Sequence, residues 1–377
     1  MTSALVREGE RIMVICNACR YCEGYCAVFP AMERRTVFSA GDLHFLANLC
    51  HNCGECLYAC QYAPPHEFGV NVPRTLARLR LESYEAYAWP AGLSRAFRRH
   101  SVATSIGLAA AMSVVMLAAA LASGGLRPPA AAAEFYQVLP HGVMIAIFGG
   151  VFAFVLVALG VGLVRFQSDA GRIPRRGAIA TSRGPAVSWR AIRDALTLRN
   201  LHAHGSDCTY AGEEARTASR RWLHHCTFYG FALCFASTSV AAIYHWLGFP
   251  APYDYVSVPV ILGTVGGLGL VAGPAGLYWI GRTRDLAATD PTQGPLDRGF
   301  IVLLLLTSAS GLVLLALRST AAMPLLLIGH LGIVLALFVT LPYGKFVHGL
   351  YRAAALVRDA REGTERPSVR SIATRPA

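Results

Sequence analysis

"RRWLHHCTFYGFALCFASTSVAAIYHW", residues 220–246, opens on two arginines and then continues from Trp222 to Trp246 without an Asp, Glu, Lys or Arg. An α-helix needs about twenty such residues to cross the hydrocarbon core of a bilayer, so the stretch reads as one membrane crossing with a basic foot. Five more uncharged apolar runs lie near 101–122, 142–164, 256–280, 300–317 and 325–344. They explain why a chain of 377 residues is 54% hydrophobic and only 15% charged, far from the composition of a soluble domain. A single apolar run is compatible with a buried core helix. Six in one chain describe an α-helical membrane protein with six transmembrane helices.

A formal net charge of +12 is compatible by itself with nucleic-acid binding, but its placement points elsewhere. Arg95, Arg98 and Arg99 precede the first run; Arg165, Arg172, Arg175 and Arg176 follow the second; Arg216, Arg220 and Arg221 precede the third. Arg282 and Arg284 follow the fourth, and Lys345, Arg352, Arg358 and Arg361 follow the sixth. The loops near 123–140, 248–255 and 318–324 carry almost none. With six crossings all the basic segments fall on one side, the pattern of the positive-inside rule. The expectation is a multi-pass protein of a bacterial inner (cytoplasmic) membrane, with both termini cytoplasmic, lipid around it and no nucleic acid as partner.

Ahead of the first crossing stand "CNACRYCEGYC" (16–26) and "CHNCGECLYAC" (50–60), two copies of C-x2-C-x2-C-x3-C at a 34-residue offset. On the cytoplasmic side thiols stay reduced, so eight of them argue for metal rather than disulfides. Three thiolates at this spacing reach one cubane and the fourth reaches its neighbour, the crossed arrangement of two-cluster ferredoxins. Cys16, Cys19, Cys22 and Cys60 are therefore expected to hold one [4Fe–4S] cluster, and Cys50, Cys53, Cys56 and Cys26 a second. Structural zinc usually takes separated C-x2-C pairs, which complete four-cysteine runs do not resemble. The proline that usually follows the fourth cysteine is missing from both runs; Pro30, Pro64 and Pro65 come later. The linker 27–49 has room for a short helix.

Histidines mark the apolar runs at both ends. In "GHLGIVLALFVTLPYGKFVHGLYR" (329–352) His330 and His348 are 18 residues apart, five turns and about 27 Å on one continuous helix. In the opening stretch His224 and His225 lie at the basic end and His245 at the other, with His245 about 60° round the helix from His224 and about 160° from His225. Ionisable residues in membrane spans are rare and tend to be functional. Two helices with histidines near both surfaces can hold haem b by bis-histidine ligation, one per leaflet. Two haems are expected: an inner one on His348 with His224 or His225, an outer one on His330 with His245, and His141 as an alternative outer ligand.

Other signals are weaker. The basic loop 166–222 contains His202, His204 and Cys208 at a spacing that fits no standard metal site, and reads as a solvated docking loop. "GTVGGLGLVAGPAG" (263–276) mimics a dinucleotide fingerprint but sits in an apolar run rather than at a strand-to-helix turn; its small residues let helices approach closely or make room for a porphyrin. Cys226 and Cys234 read as packing. Residues 73–100 read as an amphipathic connection along the membrane before the first crossing, and 349–377 as a cytoplasmic tail, disordered beyond 360. The domain plan is a ferredoxin-like unit over 1–72, this connection, and a haem b domain over 101–348. No catalytic acid, base or nucleophile stands out, so substrate chemistry belongs to a partner.

The two cysteine runs, "RRWLHHCTFYGFALCFASTSVAAIYH" and "GHLGIVLALFVTLPYGKFVHG" together resemble the tricarballylate/citrate-utilisation protein B family, and the last segment is also similar to the haem-binding helix of the nitrate reductase gamma subunit. The family resemblance implies a membrane electron carrier that takes electrons from the reduced FAD of tricarballylate dehydrogenase and passes them to quinone. Tyr343 and Lys345 are conceivable quinone neighbours. A tricarboxylate carrier is disfavoured because a path for such an anion needs cations, and the six runs contain none. A cluster-based redox sensor would not need the paired histidines.

Overall fold

The computed structural model describes residues 3–124, 135–170, 185–198, 201 and 218–363, and every regular element among them is helical. A head is built from α1 (Ala4–Cys19), α2 (Val28–Glu33), α3 (Ala40–Leu49), α4 (Glu55–Tyr58) and α5 (Val72–Tyr87). The short α6 (Ala91–Arg99) leads to α7 (Ser101–Ala122), followed by α8 (Phe135–Val138), α9 (His141–Ala170), α10 (Pro185–Leu196), α11 (Ser219–Trp246) and α12 (Val258–Arg282). The chain closes with α13 (Gly294–Ala316), α14 (Met323–Thr340) and α15 (Val347–Gly363). The helices α7, α9, α11, α12, α13 (with the turn before it) and α14 are long and apolar enough to cross a membrane, so the chain is a multi-pass membrane protein.

The head forms for local reasons. The Ser3 side chain caps α1 by accepting from Val6 N at 3.1 Å, and Ser39 and Asp42 make a reciprocal capping box that starts α3, satisfying otherwise orphaned N–H groups. Leu43, Phe45, Leu46 and Leu49 of α3 are fully buried, each worth on the order of 2–3 kcal/mol of burial. The linker 27–49 holds two helices, α2 and α3, rather than one.

Two domain boundaries differ from the sequence expectation. Helix α5 forms where an amphipathic helix is expected, but Val72, Leu76, Leu79, Leu81, Tyr84 and Tyr87 are all buried in the head core, so it belongs to the head rather than to the membrane surface. The supposed tail is also structural: Tyr351, Ala355 and Leu356 of α15 pack in that same core. There Arg35, itself 2% exposed, donates to Asp42 at 2.9 Å and to Glu362 at 2.9 and 3.1 Å. The core continues into the inner ends of the membrane helices through Phe97, Phe166 and Leu296. Residues 364–377 lie outside the described residues, as do His202, His204 and Cys208.

A third difference concerns the last crossing. The helix expected to carry both His330 and His348 stops at Thr340, and Leu341–Phe346 form tight turns in which Tyr343 N and Gly344 N both donate to Thr340 O at 3.0 and 2.8 Å. Pro342 explains the break: it lacks the N–H that would donate to the carbonyl four residues back, while Leu341 before it keeps helical backbone (φ −51°, ψ −45°). His348 therefore begins a new helix that turns back into the head.

The glycine-rich stretch proves to be a close helix contact. A Cβ on Gly266 would lie 2.8 Å from Cys234 N and Gly230 O, and one on Gly269 3.0 Å from Cys226 O, so α11 and α12 touch backbone to backbone as small-residue membrane interfaces do. On its other side α11 meets its neighbours through ring contacts, Phe235 with Phe152 of α9 at 6.2 Å and Phe231 with Phe346 at 5.6 Å.

Candidate metal centres

The first cysteine run is the end of a helix. Cys16 and Cys19, three residues apart, share a face of α1; Arg20 then caps it in left-handed backbone (φ 56°) with its N–H on Cys16 O at 2.8 Å. That turn swings Cys22 back toward the pair. In the second run α3 has already ended: Cys50 is its C-cap, Asn52 is left-handed (φ 53°), and Gly54 (φ 89°) starts α4, which carries Cys56. Arg20 and Gly54 are equivalent positions of the 34-residue repeat, so the left-handed turn after the second cysteine recurs although the flanking helices differ.

Tertiary folding gathers the eight thiols into two cavities. Cys16, Cys19, Cys22 and Cys60 line one, with Arg20, Tyr21, Gln61 and Tyr62 around them. Cys26, Cys50, Cys53 and Cys56 line the other, with Val28, His51, Glu55, Val72 and Leu76. The buried ring of Phe29 borders both. After Cys26 the chain runs directly into α2, with Pro30 in its first turn. Burial and then the neighbouring sulfurs push Cys16 up to about 12 and Cys22 up to about 11, and drive Cys26 and Cys56 well above the ordinary thiol range. Four sulfurs crowded this way become thiolates only if positive charge sits among them, which an iron–sulfur cluster supplies. The donor set fits such a group.

Four arginines converge on the segment between the second cavity and the membrane helices. Arg80 and Arg352 both donate to Cys50 O at 2.6 Å. Arg220 donates to His51 O and Asn52 O at 3.2 Å each, and Arg284 also donates to Asn52 O. They come from α5, α15, α11 and the turn after α12, so the second cysteine run is tied to three parts of the chain that reach it from the membrane half. None of these contacts is visible in local sequence, although Arg220, Arg284 and Arg352 stand out there as basic feet of the crossings.

Directly below lie the inner histidines. The rings of His224 and His348 are 6.3 Å apart, centre to centre. Two imidazoles on opposite sides of one metal ion, each nitrogen about 2 Å from it, have ring centres roughly 6 Å apart; the pair fits a bis-histidine haem. Burial, followed by Lys345 and Arg352, holds His348 down to about 3, so its ring is neutral, the form a metal ligand requires. Its Nδ1 lies 2.5 Å from Lys345 O, which leaves Nε2 for a metal. His225 is turned away, toward Tyr229 and Trp222 at 5.6 and 5.9 Å.

At the far end the two candidates for one outer position, His245 and His141, lie side by side. The His245 ring lies beside His141 at 3.8 Å and beside Tyr136 at 4.6 Å, tilted by 39° and 50°, while His330 points Nδ1 at Ser310 Oγ, 2.9 Å away, which leaves its Nε2 for a metal. Rings 3.8 Å apart are too close to flank one metal ion. Of the two residues singled out as quinone neighbours, Tyr343 donates to Trp89 O at 3.1 Å and Lys345 pairs with Asp297 at 2.7 Å.

Fold and donor sets together define a multi-pass helical membrane protein with a cysteine-rich head of the iron–sulfur type. The chain belongs to the citrate utilization protein B family: the family model described as Citrate utilization protein B matches residues 96–369, and that of the Citrate utilization protein B Fer4-like domain matches residues 9–86. It is 50% identical over 357 residues to Citrate utilization protein B of Escherichia coli, covering 94% of this chain and 92% of that protein. No solved structure matches the chain significantly. The Fer4-like match ends at residue 86, in agreement with the place of α5 inside the head.

Proposed function

We propose that this protein is a membrane electron-transfer component that accepts electrons from a reduced FAD flavoprotein, tricarballylate dehydrogenase by family resemblance, and delivers them to the quinone pool in support of tricarballylate or citrate utilisation. Cys16, Cys19, Cys22 and Cys60 hold one [4Fe–4S] cluster and Cys26, Cys50, Cys53 and Cys56 the other. His224 and His348 hold an inner haem b, and the outer position draws on His141, His245 and His330. When bound, these groups supply one-electron carriers. The chain's own residues space them, exclude water with Phe29, Leu76 and Val72, and join the head to α11 and α15 through Arg220 and Arg352. The head and both termini face the cytoplasm, a reading supported by Arg165, Arg220, Arg284 and Arg352, basic residues flanking the crossings that donate to backbone of the head and its edge, and by the positive-inside rule. The observation that carries this reading is the sequence of two four-thiol cavities, an arginine-bound segment and a histidine pair with bis-ligand spacing, all contiguous.

The test is an optical spectrum of the purified, dithionite-reduced protein with iron and haem counted per chain. About eight non-haem irons and a b-type α-band are expected, with two haems if the outer histidines also ligate. Protein with clusters but no haem overturns the histidine assignment; protein with neither overturns the function.

A further inference from the structure

The two thiol cavities are alike in donors and unlike in surroundings, and the unlike part centres on His51. This residue lies between Cys50 and Cys53, is 6% exposed, and lines the second cavity together with all four of its cysteines. Its Nδ1 is buried and makes no well-formed hydrogen bond, although the Leu49 carbonyl faces the ring. Its backbone is held by Arg220, and the neighbouring carbonyls of Cys50 and Asn52 by Arg80, Arg352 and Arg284. A buried imidazole nitrogen without a partner costs on the order of 1–3 kcal/mol, a cost removed if Nδ1–H donates to sulfur inside the cavity it lines. The first cavity is lined differently: Asn17 and Ala18 occupy the equivalent stretch, its one side-chain donor to sulfur among the described residues is the exposed Gln61, whose Nε2 lies 3.8 Å from Cys19 Sγ, Arg20 turns back to Asn17 O at 2.9 Å, and Tyr21 beside it is 67% exposed.

We propose that His51 is a positioning residue for the second cluster, donating a hydrogen bond to cluster sulfur, and that with Arg80, Arg220, Arg284 and Arg352 it raises the reduction potential of that cluster above that of the first. Reduction adds one electron, and so one negative charge, to a [4Fe–4S] cluster. A donor N–H and nearby cations stabilise the reduced form, and hydrogen bonds to the sulfurs are an established lever on such potentials. Glu55 in the same wall acts in the opposite sense, one carboxylate against four guanidinium groups. The consequence is direction: electrons arriving at the outward-facing first cluster fall to the second, which lies against the histidine pair. The inference rests on the two-cluster reading proposed above.

The experiment is a potentiometric EPR titration of the full-length purified protein, comparing wild type with His51→Leu, His51→Gln and Arg220→Gln. The Cys22→Ser and Cys56→Ser variants identify which signal belongs to which cavity. In wild type the second cluster is expected to reduce at the higher potential. His51→Leu should lower that potential by about 59 mV or more, a tenfold change in the oxidised-to-reduced ratio for one electron, with the first cluster unmoved; His51→Gln, which keeps a side-chain N–H, should recover part of the shift. If His51→Leu fails to assemble, Arg220→Gln carries the same expectation. An unshifted second cluster in a variant that retains both signals, or equal shifts in both clusters, overturns the proposal alone. Wild-type protein without two cluster signals overturns the two-cluster reading itself and this inference with it.

Discussion

The two cysteine runs are one motif folded twice. Cys16 and Cys19 ride on the last turn of α1, a helix whose outer face is solvated, and their cavity opens beside Arg20, Tyr21 and Gln61. Cys50 and Cys53 follow the end of α3, and their cavity is closed by Val72 and Leu76 of α5 and flanked by arginines of α11 and α15. Each cavity borrows its fourth thiol from the other run, so neither half can form alone. The difference shows that ligand spacing determines what is bound, whereas the elements packed on the outside determine how exposed and how positively surrounded it is.

The strongest way to break this comparison is to remove one thiol from each cavity. Cys56→Ser should abolish electron flow to quinone and remove one cluster EPR signal while leaving haem absorbance in place; Cys22→Ser should remove the other signal. Cys26→Ser should remove the signal that Cys56→Ser removes and Cys60→Ser the one that Cys22→Ser removes; the opposite assignment would dissolve the crossed pairing of Cys26 and Cys60. The next effect concerns the pair below the second cavity. His348→Ala is expected to lower haem content by one per chain, whereas His225→Ala, whose ring faces Tyr229 and Trp222, should leave it unchanged; pyridine haemochrome counts read both.

The smallest expected effect tests how firmly α15 is docked on the head. Arg35→Gln strips a guanidinium from the buried carboxylate of Asp42 and the half-buried one of Glu362 and should cost about 3–5 kcal/mol, read as a lower melting temperature of the cluster absorbance. Acid probes the same contact in milder form. Burial raises the Glu362 carboxyl, but Arg35, Arg358 and Arg34 outweigh it and hold it below its ordinary value of 4.5. Its stabilising contribution is therefore complete above about pH 4.5 and is lost as pH falls through the lower folded-state value. Burial holds Asp359 above 3.8 despite its pairing with Arg34, so its contribution runs the other way and blunts the loss. A head that melts at the same temperature from pH 7 to pH 4 in wild type and Arg35→Gln alike would show that α15 is not held by these charges.

Much of the site was legible locally. The spacing of cysteines within 16–26 and 50–60 carries the cavity assignments, and the arginine feet carry the common end at which the head sits, because both depend on short-range periodicity. His224 was one of two equal-looking neighbours; only the direction in which α11 presents its faces separates it from His225. The continuous helix from His330 to His348 was misread because apolar composition persists through Pro342, where backbone chemistry stops the helix. The amphipathic α5 looked like a membrane-surface helix because an apolar stripe does not say whether lipid or protein will cover it.

Sequence alone thus determined the class of molecule: six uncharged spans with basic flanks and two four-cysteine runs of the iron–sulfur type, each dictated by solvation cost or by ligand reach along a few residues. Tertiary structure alone decided the arginine ring on Cys50–Asn52, the burial of His51, the His224–His348 spacing and the contact of His141 with His245. Those contacts join residues separated by up to about three hundred positions in the chain, and nothing in local periodicity encodes which distant helix end will pack against which cavity.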